Sequence, residues 1–199
     1  IGDATIEESV NTIDYLTRRG GKISFSSNNV TLNGFGVMST ETPYKVDGLG
    51  LAFNSNDHIM GTSAKVDFLE KRMSLKGIYA RGGEKKSGFG TWSETEGHKG
   101  DVAGVVLITD FFDELFVTEF EFDTTNHDID TSDTVEEESD KAYRIKISGL
   151  SEVYDYEMSY SYTGPQFDVV GNQSIVKDWE GFDFISGLTT QSHRAQLLL

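Results

Sequence analysis

The chain has no cysteine, only 2 prolines, and 17 Lys and Arg residues against 33 Asp and Glu residues. The lack of cysteine excludes disulfides, thiolate metal sites and cysteine nucleophiles. The formal net charge of −16 argues against a nucleic-acid partner, because proteins approach phosphate backbones through basic surfaces. These absences remove several large classes of function before any motif is considered.

Long apolar runs are also missing, so the sequence predicts no transmembrane helix, which needs about 18 consecutive apolar residues. A membrane-spanning β-strand needs only about 9–11 residues, and only every second one must be apolar. What the chain does have is 21 Gly, 13 Phe and 8 Tyr residues. That composition favours strands and turns over helices.

Turn signals divide the chain into hairpins. Short turns are predicted at Leu69–Arg72, Phe112–Leu115, Leu150–Glu152 and Thr190–Ser192, with an earlier one near Asn28 and Asn29. Long polar stretches separate the hairpins, at residues 40–56, 82–100, 124–140 and 164–181. Short turns at one end and long loops at the other are typical of outer-membrane barrels, whereas soluble sandwiches usually use Greek-key connections. We expect an antiparallel up-and-down meander of about ten strands.

The predicted strands alternate between apolar and charged residues, so each has one apolar and one charged face. If neighbouring strands pair through the predicted turns, Glu119 lies opposite Arg144, Arg144 lies near Glu157, and Lys146 lies near Asp155. Such charge pairs across strands suit a water-filled lumen. The residues predicted to face the lumen are Ser24, Lys65, Lys76, Glu119, Glu121, Arg144, Lys146, Asp155, Glu157 and Asp183.

Aromatic residues gather near the predicted strand ends, as in the interfacial girdles of membrane barrels. Four tyrosines share the apolar face of the segment 152–163. In a dry soluble core each hydroxyl would need a partner, whereas at lipid headgroups it reaches water. Both observations favour lipid as the neighbour of the apolar face.

The segments KRMSLKGIYARGG, DELFVTEFEFDTT, KAYRIKISGL and EVYDYEMSYSYTG, with the hairpin layout and the acidic loops, resemble Gram-negative outer-membrane β-barrel proteins of the porin-like kind. The resemblance covers most of residues 20–199 and is architectural, since no short motif identifies a subfamily. It implies a transmembrane barrel, or a large part of one, in the bacterial outer membrane. The implied role is a pore or scaffold wall for transport and not an enzyme.

The same resemblance implies contact with the lipid bilayer and lipopolysaccharide, passage of ions or small solutes, and room for a partner protein within or beside the barrel. Lumen charges of both signs predict modest ion selectivity, and acidic loops would favour cations. The residues 195–199 end without the terminal aromatic usual in barrels, so we expect residues 20–199 to belong to a longer chain. The alternative is a soluble, secreted β-sandwich that acts as a binding or adhesion module.

Residues 1–19 are less regular. Ile6, Val10, Ile13 and Leu16 have helical spacing, and Thr5 with Glu8 would form a capping box, so this segment is either a short helix or an irregular strand.

Few residues offer site chemistry, and no cofactor is expected except calcium. Asp128, Asp130, Ser132 and Asp133 have the spacing of calcium-binding loops, although Asp133 stands where such loops need glycine, and a solvated acidic loop is the alternative. His98 with Glu94, Glu96 and Asp101 is the one local histidine cluster. Trp92 and Trp179 would either form a carbohydrate platform or pack onto the barrel mouth, which we favour.

Overall fold

The computed structural model describes residues 2–39, 58–84, 98–128, 137–172, 174–189 and 194–198. These residues form one antiparallel sheet of eleven strands whose spatial order is the sequence order. The predicted all-β, up-and-down meander is therefore confirmed. The strands are β1 (Gly2–Ile6), β2 (Leu16–Ser27), β3 (Val30–Met38), β4 (His58–Phe68), β5 (Met73–Glu84), β6 (His98–Asp110), β7 (Val117–Asp128), β8 (Glu138–Leu150), β9 (Tyr154–Thr163), β10 (Trp179–Thr189) and β11 (Arg194–Leu198).

Short turns join successive strands at one end of the sheet. The turns predicted near Asn28, at Leu69–Arg72, at Phe112–Leu115 and at Leu150–Glu152 fall between β2 and β3, β4 and β5, β6 and β7, and β8 and β9. Asn28 has a φ of 41°, which a two-residue hairpin turn requires and asparagine tolerates. The turn predicted at Thr190–Ser192 lies outside the described residues.

The two edge strands each pair on one side only, β1 with β2 and β11 with β10. Within the described ranges β1 does not pair with β11, so the sheet is not closed. In the same ranges no helix is long and apolar enough to cross a membrane. The meander is thus established, and its closure into a barrel stays a prediction.

Side chains alternate between two faces of the sheet. We call the face that carries Phe120 and Ile145 the outer face, and the face that carries Glu121 and Arg144 the inner face. The pairing register aligns the outer apolar side chains into rows that cross the strands. One row consists of Val66, Leu75, Leu107, Phe120, Ile145, Tyr160 and Phe182.

Two connections at the long-loop end fold over the inner face. They are residues 7–15 between β1 and β2 and residues 164–178 between β9 and β10, of which residue 173 is not described, and we call them the covering segments. Their apolar side chains pack with strand residues into one buried cluster. Its members are Ile6, Ile13, Leu16, Phe35, Val37, Ile59, Ala80, Val102, Ala142, Phe167, Val169 and Val170.

The first covering segment shows that the sheet is curved. Ile6 ends β1, and five residues later Asn11 donates hydrogen bonds to Glu121 and Asp123 on β7. In a flat sheet, with strands about 4.8 Å apart, β1 and β7 would be separated by about 29 Å. Five residues span at most about 18 Å when fully extended, so the sheet bends around the covering segments.

The apolar residues near the N-terminus have helical spacing but do not form a helix. Residues 2–39 contain no helix, and the buried residues Ile6, Ile13 and Leu16 come from β1, a covering segment and β2. The capping box is also absent, because the Thr5 hydroxyl bonds to Thr17 and the Glu8 carboxylate pairs with Lys76. These three side chains enter one core from three different elements, and their spacing along the chain happens to match that of a helix.

Phe167 is the largest fully buried side chain of the described residues, so it tests whether the covering segments carry the core. We expect Phe167→Ala to lower the free energy of unfolding by about 3–5 kcal/mol through lost contacts and a cavity. Phe112→Ala is the matched control, because Phe112 is exposed at a turn. Equal denaturation midpoints for the two variants would show that residues 164–178 do not contribute to the core.

Candidate functional site

The ten residues predicted to share a charged face do lie on one face of the sheet. The register pairs Lys65 with Lys76, Glu121 with Arg144, and Glu119 with Lys146. Glu157 lies opposite Ser148, which is the next residue after Lys146 on the same face of β8. Asp155 lies on β9 two residues before Glu157, nearer the turn. Ser24 lies opposite Asn33, with its hydroxyl donating to the Asn33 side chain at 2.7 Å. Asp183 lies opposite Ser159, which itself faces Lys146.

The charge ladder forms with a different register from the predicted one. Arg144 Nη1 donates to Glu119 Oε1 at 2.7 Å, so this predicted contact is present as a diagonal pair. Lys146 Nζ lies 3.8 Å from Glu119 Oε2 and 3.9 Å from Glu157 Oε2. The predicted positions of Arg144 next to Glu157 and of Lys146 next to Asp155 are wrong, because these residues lie opposite Ser161 and Ser159.

The β8–β9 turn explains the shift. The Ser151 hydroxyl accepts a hydrogen bond from the Tyr154 amide at 3.0 Å, and the Ser151 amide donates to the Tyr154 carbonyl at 2.8 Å. This makes the turn longer than the one predicted at Leu150–Glu152. A longer turn moves every later pair along the strand, while an even shift keeps each side chain on its original face.

Two carboxylates on β7 are buried under the first covering segment. Glu121 and Asp123 are 1% and 0% exposed. The backbone amide of Asn11 donates to Glu121 Oε1 at 3.1 Å, and the Asn11 side-chain amide donates to Asp123 Oδ2 at 3.1 Å. Carboxyl oxygens are costly to bury without hydrogen-bond donors. The two hydrogen bonds of Asn11 supply such donors and hold the covering segment on β7.

Further polar contacts hold the covering segments in place. Lys76 Nζ lies 2.7 Å from Glu8 Oε2 and donates to the Glu8 backbone carbonyl at 2.7 Å. The side-chain amide of Asn172 donates to the carbonyls of Val10 and Thr12, each at 2.9 Å, so it links the two covering segments. Lys76 and Glu121, predicted to face open water, therefore contact protein. The sequence did not predict that the two covering segments lie over the inner face, because a single Asn gives no local sign of its distant hydrogen-bond partners.

A cavity of about 450 Å³ lies between the covering segments and the inner face of β8, β9 and β10. Arg144, Ser161 and Asp183 line it from the sheet, and Asn11 and Ile175 line it from the covering segments. The cavity has the size of common small-molecule sites, which measure about 300–1,000 Å³. Its lining combines charged side chains with hydroxyl groups.

Two histidines meet near the long-loop end. The rings of His98 and His127 lie edge to face with centroids 6.4 Å apart, and His127 is fully buried. His127 Nε2 is 3.8 Å from Glu138 Oε2. The predicted partner Asp101 lies on the opposite face of β6 from His98, and Glu94 and Glu96 lie outside the described residues. Asp101 is therefore not beside His98, which instead contacts the ring of His127, and the part of the predicted cluster at Glu94 and Glu96 stays a prediction.

The calcium prediction rests mainly on residues that the structure does not describe. Asp130, Ser132 and Asp133 lie outside the described residues. Asp128 ends β7, where its carboxylate is 3.7 Å from Lys99 Nζ. Among the described residues, no group of three or more His, Asp or Glu side chains is arranged to hold a metal ion. The calcium site stays a prediction.

Comparison with known proteins adds no family. No protein-family model matches the chain, and no curated protein matches it either.

The Asn11 side chain gives a direct test of the first covering segment. We expect Asn11→Ala to speed amide hydrogen exchange in residues 7–15 and to destabilise the protein by about 1–3 kcal/mol, because buried Asp123 loses a donor. Asn126→Ala, on the outer face of the same strand, should leave both quantities near the wild type. Unchanged exchange in the Asn11 variant would mean that other contacts hold the segment.

Proposed function

We propose that the chain forms the wall of an outer-membrane β-barrel, or a large part of that wall. Its outer face would lie against lipid, and its inner face would enclose polar groups. The observation that supports the proposal is the direction of the two faces. Phe120 and Ile145 are 41% and 43% exposed on the outer face, while Glu121 and Asp123 are buried on the inner face. Soluble proteins rarely expose apolar side chains in continuous rows, whereas lipid-facing strands do so.

The outer apolar band has dimensions that suit a bilayer. On β9 it runs from Tyr154 to Tyr162 through five outward positions, which is about 27 Å along an extended strand. Outer-membrane barrels have an apolar band about 25 Å tall, crossed by tilted strands. Polar outward residues follow the band toward the long loops. They are Arg81, Asp101, Asn126, Lys141 and Glu180.

The outward tyrosines fit the same arrangement. Tyr160 donates its hydroxyl to Glu180 Oε1 at 2.6 Å, at the polar margin of the band. The rings of Tyr143 and Tyr162 stack with centroids 5.1 Å apart. Tyr156 donates to the Leu115 carbonyl at 3.2 Å near the turns. Tyrosines with a ring against hydrocarbon and a hydroxyl at a polar group are typical of membrane interfaces.

The inner face supports a narrow passage or a scaffold more than a wide pore. The covering segments occupy the long-loop end of the inner face, and the ladder of Arg144, Glu119 and Lys146 lines the sheet toward the turns. Ions or small solutes would meet charges of both signs there. Lipopolysaccharide would surround the long-loop end in this orientation.

Membrane insertion also requires closed strand edges, since hydrocarbon offers no hydrogen-bond partner to a free edge. In an antiparallel meander of eleven described strands, β1 and β11 run in the same direction. Direct pairing of these two edges would be parallel. An antiparallel closure needs at least one further strand, from another segment or from a partner chain.

A soluble, secreted binding or adhesion module is the second candidate. The buried cluster beneath the covering segments favours it, because a dry core is what a soluble β-domain needs. Extraction separates the two proposals. A barrel wall stays in the membrane fraction until detergent is added, whereas a module dissolves in plain buffer.

A charge placed on the outer face tests the proposal in a lipid bilayer. We expect Phe120→Arg to lower the free energy of unfolding from lipid vesicles by about 2–4 kcal/mol, because the charge enters hydrocarbon. Asn126→Arg is the matched control, since it lies on the same face of β7 beyond the apolar band and should cost about 0–1 kcal/mol.

Urea unfolding in vesicles measures both variants. If the outer face meets water, both arginines are solvated and the two variants differ little from the wild type. That result, with recovery of folded protein in detergent-free buffer, would replace the membrane proposal with the soluble module.

A further inference from the structure

The indole ring of Trp179 lines the cavity between β8–β10 and the covering segments. Trp179 and Gly181 both lie on the inner face of β10, two residues apart. A Cβ atom added at Gly181 would lie 2.5 Å from Trp179 Cζ2 and 3.1 Å from its Nε1, so the indole contacts the sheet at the glycine. Any other residue at this position would push the ring away from the sheet.

Part of the indole stays accessible in the cavity. Trp179 lines the cavity and is 48% exposed, although it also contacts the sheet at Gly181. An accessible indole in a cavity suits ligands that have an apolar face of C–H groups or an aromatic ring.

The other strand residues that line the cavity are polar, whereas the covering segments also contribute the apolar residues Val10, Ile175 and Val176. Ser159, Ser161 and Thr163 follow one another on the inner face of β9 and line the cavity. Arg144 lines it from β8 and Asp183 from β10. These groups offer hydroxyl donors and acceptors, guanidinium donors and carboxylate acceptors within one enclosure.

The charges in the cavity argue against an anionic ligand. Arg144 already forms an ion pair with Glu119, at 2.7 Å, so it does not offer a free cation, and Asp183 adds a carboxylate. A purely apolar ligand would offer no hydrogen bond to the three hydroxyls of β9. A ligand with many hydroxyls and an apolar face can contact both these polar groups and the indole.

We propose that this cavity binds a small neutral saccharide, with one sugar face stacked on Trp179 and its hydroxyls bonded to Asp183, Ser161 and Arg144. Sugars of one or two rings carry this combination of C–H faces and hydroxyls, and the 450 Å³ space is of the size of small-molecule sites. The proposal concerns the inner face alone and holds whichever solvent meets the outer face.

Tryptophan fluorescence can report on this cavity directly. Trp92→Phe leaves Trp179 as the one tryptophan of the chain, which has 2 in total. We expect saturable quenching or a blue shift with at least one of glucose, galactose, N-acetylglucosamine, maltose, lactose and sucrose. Glycerol serves as the control for viscosity and refractive index. The protein is kept in buffer or in a detergent without a sugar headgroup, whichever maintains its strands.

Variants in the same single-tryptophan background locate the binding. Asp183→Asn should weaken the affinity about tenfold or more, because hydrogen bonds to a charged group are stronger than those to a neutral one. Ser161→Ala, which changes no charge, should also weaken it. Glu152→Gln removes one negative charge at the turn end and should leave the affinity unchanged, and circular dichroism checks that each variant keeps its strands.

No response to any of the six sugars would overturn the proposal. A response that Asp183→Asn and Ser161→Ala leave intact would place the sugar elsewhere and would overturn it as well. Neither result bears on the membrane role, which vesicle unfolding tests separately.

Discussion

The structure depends on strict alternation of side chains combined with a register that keeps each face continuous. Phe120 pairs with Ile145 and Ile145 with Tyr160, while Glu121 pairs with Arg144 on the other side. A slip of one residue in any strand would exchange the two faces of that strand. The apolar band, the charge ladder and the cavity therefore all follow from one register.

The covering segments explain how acidic residues can be buried on the inner face. Asn11 donates to Glu121 and Asp123, and Asn172 donates to Val10 and Thr12 carbonyls. These contacts replace water around groups that would be costly to bury alone. The same segments supply Phe167 and Ile13 to the hydrophobic cluster. One end of the inner face is thus a packed interior, and the other carries the ladder of Arg144 and Glu119.

The sequence predicted the parts of the fold that depend on local patterns. The period of two along β9 and the turn signals near Asn28 and Leu69 are local, and they identified the meander and both faces. The register of β8 with β9 was not predictable in this way, because it depends on hydrogen bonds of Ser151 within the turn. A shift by an even number of residues also leaves the pattern of faces unchanged.

The site was less predictable than the fold, since it joins residues distant in sequence. Asn11 contacts β7 across 110 residues or more, and no spacing rule connects them. Trp179 was expected either to form a carbohydrate platform or to pack onto the barrel mouth, and the structure shows it lining the cavity in contact with the sheet at Gly181. Its glycine neighbour Gly181 was the available signal, because a small residue two positions along a strand leaves room for a ring on the same face.

Spin labels attached through single cysteines test the direction of the faces most directly. Ile145→Cys places a label on the outer face, and Glu157→Cys places one on the inner face. In lipid vesicles we predict that the outer label is reached by oxygen and shielded from a water-soluble nickel chelate, with the opposite behaviour at the inner label. Equal access of the chelate to both labels would contradict contact between the outer face and hydrocarbon.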